Sequence, residues 1–203
     1  LAGRPVVAHT WQRFNDVADV AEIVLVVRAG QQPAFTDLAR RYGFHKPFRL
    51  VAGGAERQDS VWHGLAALSP QTQIVAIQDA ARPCTGAALI RATIAAARET
   101  GAAVAAQPVT DTIKESADGR LIDGTLDRRR LWAVQTPQTF QVDVIRRGLA
   151  EVRRRGLRVT DDTAACELIG QPVRLVAVPG ANPKVTRPED LPYVEQVLRQ
   201  GGA

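Results

Sequence analysis

The chain has 203 residues, 45% of them apolar, and a formal net charge of +5. That length suits one domain with enough chain to bury a real core, and no apolar run approaches the ~20 residues needed to cross a membrane. The basic excess does not point to nucleic acid: the Arg triplets at 128–130 and 153–155 stand apart, and aromatics, only 5% of the chain, do not interleave with them, so no base-stacking platform is present and an anionic small molecule fits the charge as well.

Apolar spacing predicts a helix over residues 5–14, with Pro5 near its first turn. The branched apolar run from Glu22 to Arg28 predicts a strand covered on both faces. A helix over 33–42 ends at Gly43, and Phe48–Ala52 is a short strand before Gly53-Gly54. Asp59–Leu68 is amphipathic and helical, Gln73–Gln78 is a second buried strand, Thr85–Thr100 is an Ala-rich helix closed by Gly101, and Ala102–Val109 is again a strand. Strands and helices alternating with short connections predict an α/β fold, a mostly parallel sheet with helices on both faces. Residues 110–130 break the pattern. They read as a polar hairpin about the Asp118-Gly119 turn, which is marginal alone and must pack on something, a partner subunit being one candidate. After Leu131–Val134 come a helix from about Gln141 to Arg155, another over 161–168, a strand over 173–178 and a last helix over 188–198.

Three places carry residues suited to chemistry. Asp79, in Ile-Gln-Asp-Ala-Ala-Arg-Pro-Cys (77–84), directly follows a strand, where an open α/β sheet places ligand-binding carboxylates. It could hold Mg²⁺ or a ribose hydroxyl, with Arg82 pairing phosphate, or the two could form an ion pair that braces the loop. Lys184 is one of only three lysines, with Lys46 and Lys114, among 26 basic residues. Its compact, strongly hydrated charge before a Thr-Arg-Pro helix start suits phosphate. Gly53-Gly54-Ala55-Glu56-Arg57-Gln58-Asp59-Ser60 joins a strand to a helix. Its amides could form an anion-binding nest, or it could be a turn capped by Asp59 or Ser60. Thr136 and Thr160 offer hydroxyls for phosphate, and Thr160 also suits a helix N-cap.

Other chemistries lack their residues. His9, His45 and His63 share no metal-ligand spacing, and Cys84 and Cys166 have no CxxC or nearby His. The two cysteines make no disulfide framework, which favours the cytosol. Leu1-Ala-Gly-Arg-Pro5 has no signal-peptide pattern. With no Met in the chain, the expectation is a sequence that begins inside a longer protein.

Taken together, segments 53–61, 79–83, 108–114, 127–128, 135–138, 159–162 and 184–191 lie in the order and spacing of a known family. Over nearly all of its length the chain closely resembles the 2-C-methyl-D-erythritol 4-phosphate cytidylyltransferases. The resemblance implies a Rossmann-like nucleotidyltransferase fold and transfer of a cytidylyl group from CTP to methylerythritol phosphate, with Mg²⁺ on the triphosphate. It implies that Gly53, Gly54, Ala55 and Ser60 line the cytosine and ribose pocket. Asp79, Ala80 and Arg82 would meet the nucleotide phosphates, Asp79 the metal, and Thr136, Thr160 and Lys184 the sugar phosphate. The hairpin looks like the family's dimerisation arm, placing Thr112 and Arg128 in a partner's site, so the catalytic set would be Asp79, Lys184 and Arg128. Two departures stand out. The family's opening strand and Gly-rich phosphate loop have no counterpart in these residues, and Ala55 stands where relatives often carry Asp. The rivals are a cytidylyltransferase for another polyol phosphate, such as ribitol 5-phosphate, and a non-catalytic remnant acting as a binding or dimerisation module. Fusion to a second pathway enzyme is a further possibility.

Overall fold

The computed structural model describes residues 1–200. Helix α1 (Val6–Asn15) starts behind Pro5, and β1 (Ile23–Val27) follows. Next come α2 (Gln32–Tyr42), β2 (Phe48–Ala52), α3 (Arg57–Ala66), β3 (Ile74–Ile77), α4 (Ala87–Thr100) and β4 (Ala102–Pro108). The hairpin strands β5 (Lys114–Glu115) and β6 (Gly124–Thr125) precede β7 (Trp132–Gln141), α5 (Val142–Arg155), α6 (Asp162–Glu167), β8 (Arg174–Ala177) and α7 (Leu191–Arg199). Left-handed glycines at 43, 101 and 156 stop α2, α4 and α5, as expected where an L side chain would clash.

Two strand groups make the central layer. β1 and β2 pair in parallel, and β3-β7-β4-β8 form a four-stranded sheet. β3, β4 and β8 run one way, and β7 lies antiparallel between β3 and β4. Only the first four residues after the hairpin read as resuming regular structure in the sequence. In fact the strand continues through Gln135-Thr136-Pro137-Gln138 to Gln141. Pro137, after a cis peptide bond, has no N–H to give to a ladder, and the register with β4 shifts between Val104 and Ala106.

Helices cover both faces. Ile74 and Ala76 of β3 pack with Phe14, Val17, Ile90 and Ile94 of the α1–α4 side. Val75 and Ile77 pack with Leu65, Phe140, Ile145 and Leu149 on the α3–α5 side. This is the period-two alternation of a strand buried between layers. The close seat of α6 on α5 depends on Gly148, where a Cβ would lie 2.7 Å from the carbonyl oxygen of Ala165.

The expected full coverage of 22–28 and 73–78 is not found. Of β1 only Val27 is buried, Val26 is 36% exposed, and all four residues of β3 are half-buried. β1 and β3 do not pair with each other. Between them runs a cleft of about 1000 Å³, lined by every residue of both strands and by Trp11, Phe14, Val61 and Leu65. The apolar runs thus face a groove along one edge instead of a neighbouring strand.

One end of this cleft is closed by a carboxylate. Glu22 accepts from the Ser69 amide (2.8 Å) and from the hydroxyls of Ser69 (2.9 Å) and Thr72 (2.7 Å), and Arg49 stands 3.6 Å away. Burial pushes its carboxyl up, but these donors and Arg49 outweigh it, and the group lies below its ordinary value. A depressed carboxyl stabilises the fold above its unfolded pKa, and that contribution is lost as pH falls through the folded value. Glu22→Gln is therefore expected to lower stability by about 1–3 kcal/mol near neutral pH, with the difference from wild type shrinking in acid. Urea titrations at several pH values check this.

Candidate active site

The carboxyl ends of β1, β2 and β3 lie at the other end of the cleft, where Arg57, Ser60, Asp79 and Ala80 line it. Open α/β sheets bind ligands at such strand ends. The loop after β2 is held by hydrogen bonds from the Gly53 amide to the Val27 carbonyl (2.8 Å) and from the Gly54 amide to the Ser60 hydroxyl (3.1 Å). Gly54 is demanded by space, since a Cβ there would sit 2.3 Å from the Asp59 Cβ. Helix α3 starts two residues earlier than the apolar pattern predicts. Its N-cap is Glu56, whose amide donates to Asp59 at 3.2 Å. Asp59 and Ser60 thus satisfy the turn from within the helix, and the exposed Gly54 and Ala55 are left at its tip.

Asp79 sits two residues beyond β3. One carboxylate oxygen is 2.9 Å from Lys184 Nζ and 3.7 Å from Arg82 Nε. The two residues singled out a hundred positions apart are therefore in contact. Its backbone amide donates to the Thr136 hydroxyl (3.1 Å), and Thr10 donates to the Ala80 carbonyl (2.7 Å). Burial pushes the Arg82 guanidinium below its ordinary value, against the pull of Asp79, and Arg82 also donates to the Asn182 carbonyl at 2.7 Å. Arg82 thus ties the Asp79 loop to the loop at Asn182. Lys184, 43% exposed, is the more open cation.

The Lys184 loop is tied down by Asn182, which sequence reasoning passed over. Asn182 is 4% exposed and donates to Gln135 Oε1 and the Thr136 carbonyl, each at 3.0 Å, while Thr85 donates to its Oδ1 at 3.0 Å. Gln107 adds a bond to the Gly180 carbonyl at 3.0 Å. An Asn before Pro-Lys reads in sequence only as turn chemistry. Its partners lie on β7 and before α4, which no local pattern reveals.

The threonines divide. Thr136 is 3% exposed and its hydroxyl accepts from the Asp79 amide, so it lies directly beneath the Asp79 loop. Thr160 is exposed, and it is not the N-cap of α6. Asp161 is, accepting from the Ala164 amide at 2.9 Å, because a carboxylate one residue nearer reaches the free amides better. Thr112 and Arg128 lie on the exposed hairpin arm. Arg128 donates to the Thr110 carbonyl at 2.6 Å, and among the described residues no bond joins either one to the Asp79 cluster.

Cys166 is buried and its thiol is pushed up to about 12 by burial and by Asp162, Asp161 and Glu167, while burial alone raises Cys84. Among the described residues no three His, Cys, Asp or Glu side chains gather into a metal cage, and no helix is long and apolar enough to cross a membrane.

A carboxylate, a lysine and a Gly-rich turn at the ends of parallel strands agree with what comparison with known proteins finds. The 2-C-methyl-D-erythritol 4-phosphate cytidylyltransferase family model matches residues 1–200. The chain belongs to that family. It is 42% identical to the 2-C-methyl-D-erythritol 4-phosphate cytidylyltransferase of Pelotomaculum thermopropionicum over 99% of this chain and 86% of that protein. It is 43% identical to the bifunctional enzyme IspD/IspF of Desulforudis audaxviator over 99% of this chain and 51% of that one. The crystal structure of 4-diphosphocytidyl-2C-methyl-D-erythritol synthase from Anaerococcus prevotii superposes with a TM-score of 0.90 at 29% identity, covering 98% of this chain and 91% of that one. The cytidylyltransferase of Thermus thermophilus gives 0.82 at 33%, covering 97% and 90%.

Removing the Asn182 amide would strand several buried partners at once. Asn182→Ala is expected to cost about 1–3 kcal/mol of stability and to lower turnover by loosening Lys184. Thermal melts and steady-state kinetics on the same preparation check both effects.

Proposed function

We propose that this protein transfers the cytidylyl group of CTP to 2-C-methyl-D-erythritol 4-phosphate, giving 4-diphosphocytidyl-2-C-methyl-D-erythritol and pyrophosphate. The observation that carries this reading is the Asp79–Lys184 contact of 2.9 Å at the carboxyl end of β3, in a chain of this family. An oxygen of the sugar phosphate attacks the α-phosphorus of CTP, the bond to the β-phosphate oxygen breaks, and pyrophosphate leaves with its electron pair. No covalent bond to the protein is needed, so the side chains act by position and charge. Lys184 neutralises charge on the transferring phosphoryl group. Gly54, Ala55 and Ser60 hold the base and ribose, largely through backbone because Ala55 has no polar side chain. Thr160 meets the sugar phosphate, and Thr136 keeps Asp79 in place from behind.

A single half-buried carboxylate suits Mg²⁺ that arrives with a triphosphate, since this ion takes one or two carboxylates and fills its shell with phosphate oxygens and water. Asp79 would hold it, and the ion would supply further neutralisation of the triphosphate. The hairpin arm exposes Leu121 and Ile122 at 73% and 66%, which supports a homodimer in which Thr112 and Arg128 reach a partner's site. The β1–β3 cleft, with a free strand edge on each side, supports a further strand seated there, whose following Gly-rich loop would reach Asp79. The buried free thiols suit a reducing compartment, the cytoplasm. Ribitol 5-phosphate as acceptor, and a non-catalytic remnant, are less well supported than the family's own reaction.

Pyrophosphate release from CTP and Mg²⁺ should require methylerythritol phosphate, and should be far faster in a form extended before Leu1 by a strand and Gly-rich loop than in the 203-residue chain. Equal or better release with ribitol 5-phosphate overturns the acceptor, and no release from either form overturns the activity. Lys184→Ala should lower kcat by roughly 10²–10³ with an unchanged melting temperature. Mixing Arg128→Ala with a variant defective only at Gly54 should restore activity if the arm works across the dimer. A mixture no better than its components argues against a shared site.

A further inference from the structure

Three consecutive residues at the start of α3 reach across to one segment a hundred positions away. Arg57 Nη2 is 2.6 Å from Asp162 Oδ2. Gln58 donates to the Leu157 carbonyl and accepts from the Val159 amide, both at 3.0 Å. Glu56 pairs with Arg158 at 2.7 Å, although those side chains are 42% and 78% exposed and such a contact is weak in water. The Arg57–Asp162 pair is different. The Asp162 side chain is fully buried, and its second oxygen, Oδ1, is buried without a partner.

Asp162 is gripped from the other side as well. Its amide donates to Gln138 Oε1 at 3.0 Å, and Gln138 Nε2 donates to Asp161 at 3.0 Å. Gln138 stands two residues after Thr136, whose hydroxyl takes the Asp79 amide. A continuous polar chain therefore runs from Asp79 through β7 to Asp162 and on to Arg57. Arg57 comes three residues after Gly54, and Asp162 two residues after Thr160. The pair is the bridge between the loop that holds the nucleotide and the loop that meets the sugar phosphate. A half-satisfied buried carboxylate is a poor device for stability, and an apolar pair of similar volume would serve the core as well. What a charged, directional contact adds is a single register between the parts it joins.

We propose that Arg57 and Asp162, flanked by Gln58 and Gln138, are positioning residues that lock the 53–60 loop to the 157–164 segment, so that the two substrates are held in line. This rests on the functional reading of those loops given above. The test uses the full-length protein with Arg57→Ala, Arg57→Lys, Asp162→Asn and the Arg57→Ala/Asp162→Asn double variant. Amide hydrogen exchange, which needs no activity, should rise about tenfold or more in both 53–60 and 157–164 in Arg57→Ala, with β4 and α4 unchanged. Faster exchange in only one segment, or in neither, overturns the lock. In kinetics with CTP and methylerythritol phosphate, Arg57→Ala should raise KM for both substrates by about tenfold with a smaller loss of kcat. The double variant should be no worse than the worse single one, and Arg57→Lys should recover part of the loss. A rise in KM for CTP alone would make Arg57 a direct nucleotide ligand and overturn the proposal. A wild-type protein inactive with these substrates would sink the functional reading and leave the exchange result to decide the lock.

Discussion

The ion pair of Asp79 and Lys184 is the contact on which the rest of the site depends. It joins a loop after β3 to a loop after β8. A pair whose lysine is open to solvent is worth little in stability. Its geometry is imposed from below by neutral hydrogen bonds: Thr136 on the Asp79 amide, Thr10 on the Ala80 carbonyl, and Asn182 under the Lys184 loop. The charges are free to act on a ligand because buried amides and hydroxyls, not the charges themselves, carry the loops.

β7 is the element that makes this possible. It runs against the direction of its neighbours and passes beside the Asp79, Asn182 and Asp161–Asp162 segments. Gln135 and Thr136 meet Asn182, Thr136 meets Asp79, and Gln138 meets Asp161 and Asp162. A strand that can give up a ladder bond at Pro137 leaves side chains free to turn toward loops. Polar residues inside a sheet are costly unless satisfied, and here each of these has a partner.

The β1–β3 cleft sets the second constraint. Two apolar strands with open edges face each other across about 1000 Å³, with Glu22 at one end and Asp79 at the other. This explains why residues that read as a doubly covered strand are only half-buried, and why the groove leads to the charged pair.

Much was legible in the sequence because it rests on local physics. Apolar periodicity and glycine stops located nearly every helix and strand within two residues, and Asp79 and Lys184 stood out by position and composition. The Gly54 turn and the hairpin were readable from their turn residues. Only the tertiary structure decided that β7 runs antiparallel through Thr136-Pro137, and that the Thr136 hydroxyl takes the Asp79 amide. It also showed that Asp161 and not Thr160 caps α6, and that Asn182, Gln138 and Arg57 tie the loops together. Apart from the local Asp161 cap, those roles belong to side chains whose partners lie between 23 and 105 residues away. A hydrogen bond across such a span leaves no periodicity in the chain, and exists only once packing has brought its two ends together.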